Sequence, residues 1–462
     1  NGGSSSGSAY VVATGQVDFS LGTDTAGSGR VPAGLNNIVG LKPSRGLVSA
    51  RGVLPAAQSV DCVSIFARTV ETAWRVLTVA AGYDSKDPYS RALNLVRRTY
   101  PPVFRVGIPK QLEWFGDEVA APAYQDALER LRALGAVVVE IDYEPFAQIA
   151  DLLYGSALVA ERYEAIRDFF DANPQNVIEP VRSIIAAGKR YTAADVFAAK
   201  NRLQALAQHV SELWDSVDLL CVPTAPTHYS IQEMVERPVE LNRNLGYYTN
   251  FVNLLDYAAL SVPSCIRPDG LPFGITLIGP CASDFQLAEL GARYQDNSNL
   301  CLGATSERLG TTPQTIALAT WDAKDDQAAS VRVAVVGAHL SGMPLNGQLV
   351  ERHARYVCTT RTAENYKLYA LSDSTPPKPG LLRTAPGSGH SIEVEIWDMP
   401  MREYGSFVSL IQAPLGIGTL ELIDGSTVQG FVCEPEALKD AVEISHLGGW
   451  RPYIQSLKRS YP

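Results

Sequence analysis

Apolar positions in the first two-thirds of the chain fall into two alternating patterns, short continuous runs and stretches with helical spacing. VDFSLG (17–22) reads as a strand running into a glycine-rich turn, and VFRVGIP (103–109) as a buried strand. APAYQDALERLRALG (121–135) predicts an amphipathic helix with Gly135 at its C-terminus, and AVVVEID (136–142) the strand after it. The stretch 191–217 predicts a long helix with Thr192 as N-cap and Asp195 three residues on. DLLCVPTAPTHY (218–229) predicts a strand halted by Pro223 and Pro226, since proline cannot donate to a ladder. GITLIGP (274–280) and a helix from Asp284 to Tyr294 close the unit. Strands and helices in this order indicate an α/β fold around a mixed sheet covered by helices.

The texture changes beyond residue 308. Residues 309–330 mix small, polar and charged positions without a period and read as a linker. Short strands follow at VRVAVVGAHL (331–340), SIEVEIWDM (391–399), FVSLI (407–411) and GTLELIDGSTVQGFVCEP (418–435), with Asp424-Gly425 as a hairpin turn and CEPEALKDA as a helix. The expected organisation is an α/β unit over 1–308, the linker, and a smaller β-rich unit over 331–462, a small barrel.

Composition narrows the function. A length of 462 residues, 46% hydrophobic and 19% charged, is enough for two full cores. A net charge of −10 excludes a nucleic-acid or anionic-membrane surface, leaving a small-molecule substrate. The seven cysteines lack any CxxC spacing and suit reduced thiols in a cytoplasmic protein, with neither disulfide framework nor metal site. No apolar run is long enough to span a bilayer, and no signal peptide is visible. The chain opens on NGGSSSGSA instead of Met, from which we expect that its natural N-terminus was removed or left out.

The strongest chemical signal is GTDTAGSGRVPAG (22–34), which places Ser28 between Gly27 and Gly29 after a strand. Bare neighbouring amides suit a nucleophile, and those of Thr25, Ala26, Gly27 and Ser28 itself are candidate oxyanion donors. A glycine-rich turn is the alternative; GxSxG is not matched, and the nearest histidine in sequence, His209, is not recruited by any local feature. The span from Gly2 to Gly29, with VPAGLNNIVGLKPSRG (31–46), resembles the amidase signature family. That resemblance implies Ser28 as nucleophile, Ser4, 24 residues earlier, as a bridging serine in a cis peptide, and a lysine base upstream of this chain. Lys42 then belongs to the structural part of the motif, and Asp24 and Arg30 form a local ion pair. No cofactor is implied.

Within that family, 48–67, 220–231, 241–263 and 269–284, together with the appended C-terminal unit, resemble the allophanate hydrolases. The resemblance implies hydrolysis of allophanate, a small anionic amide, to ammonia and carbon dioxide through an acyl-Ser28, in urea or s-triazine nitrogen catabolism. Tyr154 and Arg162 are implied as its carboxylate receptor; on one predicted helix they stand roughly 12 Å apart along the axis and about 80° around it. A surface ion pair of Arg162 is the alternative, and Tyr247, Tyr248, Asn250 and Asn253 are given structural roles. In the C-terminal unit, 337–349 and 418–431 resemble the small barrel of the gamma-glutamylcyclotransferase superfamily. It is expected either to handle the carboxylated intermediate, with His339, His353 or His390 and Glu393 or Glu395, or to be a structural, dimerising domain. Rival functions are a general or glutamine-type amidase, such as the catalytic chain of an amidotransferase, and a noncatalytic scaffold. Expected partners are a second copy of the chain and a larger hydrolase assembly, without nucleic acid or membrane.

Overall fold

The computed structural model describes residues 3–96, 99–317, 330–371 and 376–459. The chain divides into two compact units, Asn1–Arg97 with Arg105–Lys324, and Arg98–Phe104 with Asp325–Pro462.

The first unit is an eight-stranded mixed sheet, β1 (Phe19–Asp24), β2 (Val39–Lys42), β3 (Cys62–Ala67), β4 (Phe104–Pro109), β5 (Ala136–Ile141), β6 (Leu219–Pro223), β7 (Ala258–Ile266) and β8 (Pro272–Gly279), in the order β1-β3-β2-β7-β8-β6-β4-β5. Most neighbours run antiparallel, whereas β4 and β6 are parallel. Every residue of β2, β3 and β6 is buried, so these strands lack the alternation of a half-exposed strand. Helices α1 (Ser6–Ala13), α2 (Val31–Leu35), α3 (Val70–Ala80), α4 (Ala120–Ala133), α5 (Glu144–Gly155) and α6 (Ala160–Ala165) belong to the same unit. On α3 the buried side chains are Val70, Ala73, Trp74 and Leu77, a 3/4 spacing that makes one stripe against the sheet. On α4 the stripe is Ala120, Ala123, Tyr124, Ala127, Leu128 and Leu131, and the chain leaves through Gly135 at φ +101°, where a side chain would be strained. The helix Ala193–Ser211 carries the predicted capping box of Thr192 and Asp195.

Two sheets build the second unit. β10 (Arg355–Arg361), β13 (Glu393–Pro400), β9 (Ser330–Val335), β15 (Thr427–Cys433) and β14 (Leu415–Glu421) form one; β12 (Pro379–Arg383), β11 (Tyr366–Ala370) and β16 (Val442–Glu443) form the other. Their shared core includes Val333, Val335, Leu368, Leu381, Ile396, Phe407 and Trp450. The β14–β15 hairpin turns at Asp424-Gly425, with Gly425 at φ +80°.

Three local expectations are corrected. Residues 407–411 are not a strand: Met401–Val408 is a helix that drives Phe407 into the core, with Tyr404 one turn earlier packed against it. CEPEALKDA yields a single 3-10 turn, Pro435–Leu438, because its Glu436–Lys439 pair lies at the surface and no residue of the turn is buried. The strand at 331–340 ends at Val335, since Gly337 packs so tightly on Pro379 that a Cβ would lie 2.2 Å from it. Of the linker, 318–329 lies outside the described residues. Its start is docked on the first unit, where Gln314 bonds Asp296 and the Glu71 amide, and the Trp74 indole donates to the Ala317 carbonyl at 2.6 Å.

Candidate active site

The serine-rich opening is a seam between α1 and the edge strand β1. Ser5 Oγ donates to the Thr23 carbonyl at 3.2 Å, Ser8 Oγ to Leu21 at 3.0 Å, and Ser20 Oγ returns a bond to Ser8 at 2.8 Å. Hydroxyls thus satisfy carbonyls of a strand that has one neighbour in the sheet. The seam delivers the loop before α1 to the end of β1, where the Ser4 amide donates to Ser28 Oγ at 3.2 Å. Ser4 thus touches Ser28 through its main chain. The expected cis geometry is also corrected: the cis bonds among the described residues are Glu179-Pro180 and Ala413-Pro414. At Gly3 the chain turns with φ +91°, and a Cβ there would lie 3.1 Å from Ser28 Oγ.

The Ser28 loop is pinned from below by a buried charge pair. Asp24 and Arg30 are both fully buried, and Arg30 Nε and Nη2 donate to the two Asp24 oxygens at 2.8 and 2.9 Å. The same carboxylate accepts the amides of Gly27 at 2.8 Å and Gly29 at 3.1 Å. Burial pushes the Asp24 carboxyl up, but the Arg30 charge and hydrogen bonds, then the Lys42 charge, outweigh it and hold it below its ordinary value. The Gly27 amide, which the sequence suggests as an oxyanion donor, is thus committed to Asp24. Those of Thr25, Ala26 and Ser28 make no hydrogen bond among the described residues.

Contacts from distant segments complete the loop. Asn253 Nδ2 donates to the Asp24 carbonyl at 2.7 Å and to Val60 at 3.0 Å, while its oxygen accepts from Arg30 at 3.0 Å. Thr249 Oγ1 donates to the Ala26 carbonyl at 2.7 Å, and Gly27, at φ +127°, packs so closely that a Cβ would stand 2.2 Å from that hydroxyl. On the other side the Thr25 hydroxyl donates to Asp61 Oδ1 at 2.5 Å, and Asp61 Oδ2 accepts the Ala56 and Ala57 amides at 2.8 and 3.1 Å. Burial pushes the Asp61 carboxyl up; these bonds and the Arg162 charge only partly offset it. Thr249 and Asp61 escaped the sequence reading, and Asn253 is more than a polar residue on an apolar helix. Their partners lie 36 to 229 residues away, beyond any local pattern.

Tyr154 and Arg162 do not share one helix. The chain breaks at Ser156, whose hydroxyl donates to Leu152 at 2.5 Å and accepts the Leu158 amide at 3.2 Å; a 3-10 turn, Ala157–Val159, then leads into α6. The hydroxyl supplies partners for groups that continuing α-helix would bond, so it ends α5. The two side chains still meet, with the Arg162 guanidinium 4.6 Å from the Tyr154 ring centre and its buried Nη1 without a hydrogen-bond partner. Leu153 packs with Ala57 and Val60, and Ala26 lies against that cluster. Lys42 points elsewhere: its fully buried ammonium donates to the Pro43 and Tyr257 carbonyls at 2.9 and 2.8 Å.

In the second unit, His339 lines a cavity of about 310 Å³ together with Gln348, Lys378 and Phe431. Its Nε2 lies 2.8 Å from Gln348 Oε1 and its ring stacks on Phe431 at 5.0 Å; burial pulls its pKa down, outweighing the Gln348 bond. The other candidates do not join it. His353 and His390 lie outside that cavity, Glu393 pairs with Arg451, and Glu395 is fully buried with Ser341, Trp397 and Arg451 as partners. Among the described residues, no group of three or more His, Cys, Asp or Glu side chains can hold a metal ion, and no helix is long and apolar enough to cross a membrane.

The Gly-Ser-Gly turn is held by a buried Asp–Arg pair at the end of a sheet strand, beside unengaged amides, an arrangement that suits serine acyl transfer. The chain belongs to the amidase family, whose pattern matches residues 1–288, and residues 331–455 match the allophanate hydrolase C-terminal domain. It is 43% identical to the urea amidolyase of Saccharomyces cerevisiae over 99% of its own length and 25% of that protein's. The solved allophanate hydrolase of Kluyveromyces lactis is 42% identical with a TM-score of 0.76, covering 98% of this chain and 76% of that one. The solved glutamyl-tRNA(Gln) amidotransferase chain of Thermotoga maritima aligns with 64% of this chain and 66% of its own length, at 25% identity and a TM-score of 0.55. The chain thus spans about a quarter of the length of the urea amidolyase it matches.

Proposed function

We propose that the chain hydrolyses allophanate, with Ser28 as nucleophile. The observation that carries this reading is the joint likeness of both units to an allophanate hydrolase, since the amidotransferase chain reaches only 64% of this one. Ser28 Oγ attacks the terminal amide carbonyl, forming a C–O bond, and the oxyanion accepts from the Thr25, Ala26 and Ser28 amides. The C–N bond breaks, ammonia leaves with the serine proton, and water hydrolyses the ester to release the dicarboxylated product. Ser4 positions Oγ through its amide, and its hydroxyl, which both donates and accepts, relays the proton to a lysine as the family resemblance implies. Lys42 is not assigned that part, a reading supported by its burial and by the two main-chain carbonyls to which its ammonium donates. Arg162, stacked on Tyr154 with Nη1 unpartnered, takes the substrate carboxylate.

The C-terminal domain, proposed to span 331–462, would receive the dicarboxylated product in the His339 cavity; a neutral imidazole and Lys378 suit an anion that loses carbon dioxide. The unpaired state of all seven cysteines supports a reducing, cytoplasmic location. Ammonia release from allophanate, compared between the protein and its Arg162→Leu variant, tests the assignment. The variant should lose at least about tenfold in kcat/KM, the worth of one charged hydrogen bond. An unchanged value refutes Arg162 as the receptor.

A further inference from the structure

Segment 56–61 touches both ends of the proposed site. At one end Asp61 accepts the Thr25 hydroxyl and, through its second oxygen, the amides of Ala56 and Ala57, so it fixes a residue of the oxyanion loop to its own turn. At the other end Glu161 accepts from Ser59 twice, the amide on Oε1 at 2.7 Å and the hydroxyl on Oε2 at 2.7 Å. Glu161 immediately precedes Arg162 on α6. Between the two carboxylates, Ala57 and Val60 are buried against Leu153, the neighbour of Tyr154, and Ala26 rests on the same cluster. This short segment therefore joins the reacting end of the site to the charged end by hydrogen bonds at both margins and an apolar contact in the middle. A short segment bonded at both margins and packed in the middle can transmit position between them.

We propose that 56–61 is a positioning plate: through Asp61 and Glu161 it sets the span between the oxyanion amides and the Arg162 guanidinium, and so selects amides whose carboxylate lies one atom beyond the scissile carbonyl. This rests on the reading of Arg162 as carboxylate receptor. Asp61 and Glu161 are positioning residues, since neither needs to touch substrate. Arg162 also sits close enough for its charge to act on Asp61, so the two ends are coupled electrostatically as well as mechanically.

The test compares allophanate with biuret, which has the same length but a neutral amide in place of the carboxylate. Glu161→Gln removes the negative charge that strengthens both Ser59 bonds and leaves the Ser59 hydroxyl to accept from the new amide group instead of donating, and Ser59→Ala removes only the hydroxyl bond at a half-buried position. For Glu161→Gln the KM for allophanate should rise about tenfold with kcat held within about twofold, while biuret turnover, or its Ki as a competitor, moves less than about twofold. Ser59→Ala should give the same pattern more weakly, about threefold. Asp61→Asn should instead lower kcat for allophanate about tenfold, as the Thr25 loop loses its anchor. A merely structural role would shift both compounds alike, so an unchanged allophanate-to-biuret ratio in Glu161→Gln and Ser59→Ala, with an active parent, overturns the plate and leaves the function standing. A parent that turns over no allophanate overturns both.

Discussion

Replacing Asp24 with Asn should unfold the first unit at a much lower temperature while leaving the side chain nearly the same shape. The carboxylate accepts four hydrogen bonds, from Arg30 Nε and Nη2 and from the amides of Gly27 and Gly29, and it is the counter-ion of a guanidinium with no exposed surface. An asparagine keeps one oxygen. Its amide nitrogen must then face one loop amide and one guanidinium N–H, all donors, so two bonds are lost and Arg30 stays charged in the interior. Removing one partner of a buried pair costs about 3–5 kcal/mol. For a unit of this size that lowers Tm by on the order of 10 °C. Scanning calorimetry at neutral pH measures it, and acid titration adds a signature. The folded pKa of Asp24 lies below its ordinary 3.8, so its stabilisation is full above that value and is lost as pH falls through the folded pKa. Asp24→Asn should flatten that acid limb. Combining Asp24→Leu with Arg30→Met removes both charges and should recover more than half of the lost stability without restoring activity, since the loop amides still lack acceptors. A Tm for Asp24→Asn within about 2 °C of the parent would refute the claim that this pair holds the loop.

Gly27→Ala should abolish Ser28 acylation: its Cβ would lie 2.2 Å from Thr249 Oγ1 at a φ of +127°, and labelling by a serine-directed fluorophosphonate should fall at least about 100-fold. Lys42→Met should lower stability, because two buried carbonyls lose their donor, yet leave fluorophosphonate labelling of the folded protein within about threefold; loss of labelling with the fold intact would make Lys42 the base after all.

The legible parts of this chain are those where local chemistry and packing agree. The Thr192–Asp195 capping box, the positive-φ Gly135 and the Asp424-Gly425 turn each act within a few residues, so their spacing alone announces them. Ser28 was visible through its glycines and its 24-residue distance from Ser4, although the pairing atom is the Ser4 amide and not its hydroxyl. Residues that fix the geometry were hidden because their partners are remote: Asp61 serves Thr25, Asn253 serves Asp24 and Glu161 serves Ser59. Helix breaks were also hidden. The polarity pattern of 152–169 continues through Ser156, where one hydroxyl takes over the helix bonds, and FVSLI reads as a strand until Tyr404 and Phe407 are seen on one helical face.

Ammonia release from allophanate by the protein and by its Ser28→Ala variant tests the central claim most directly. The account predicts turnover that falls at least about 10³-fold in the variant, with folding unchanged. Equal turnover in the variant, or hydrolysis of neutral amides with none of allophanate, would contradict it.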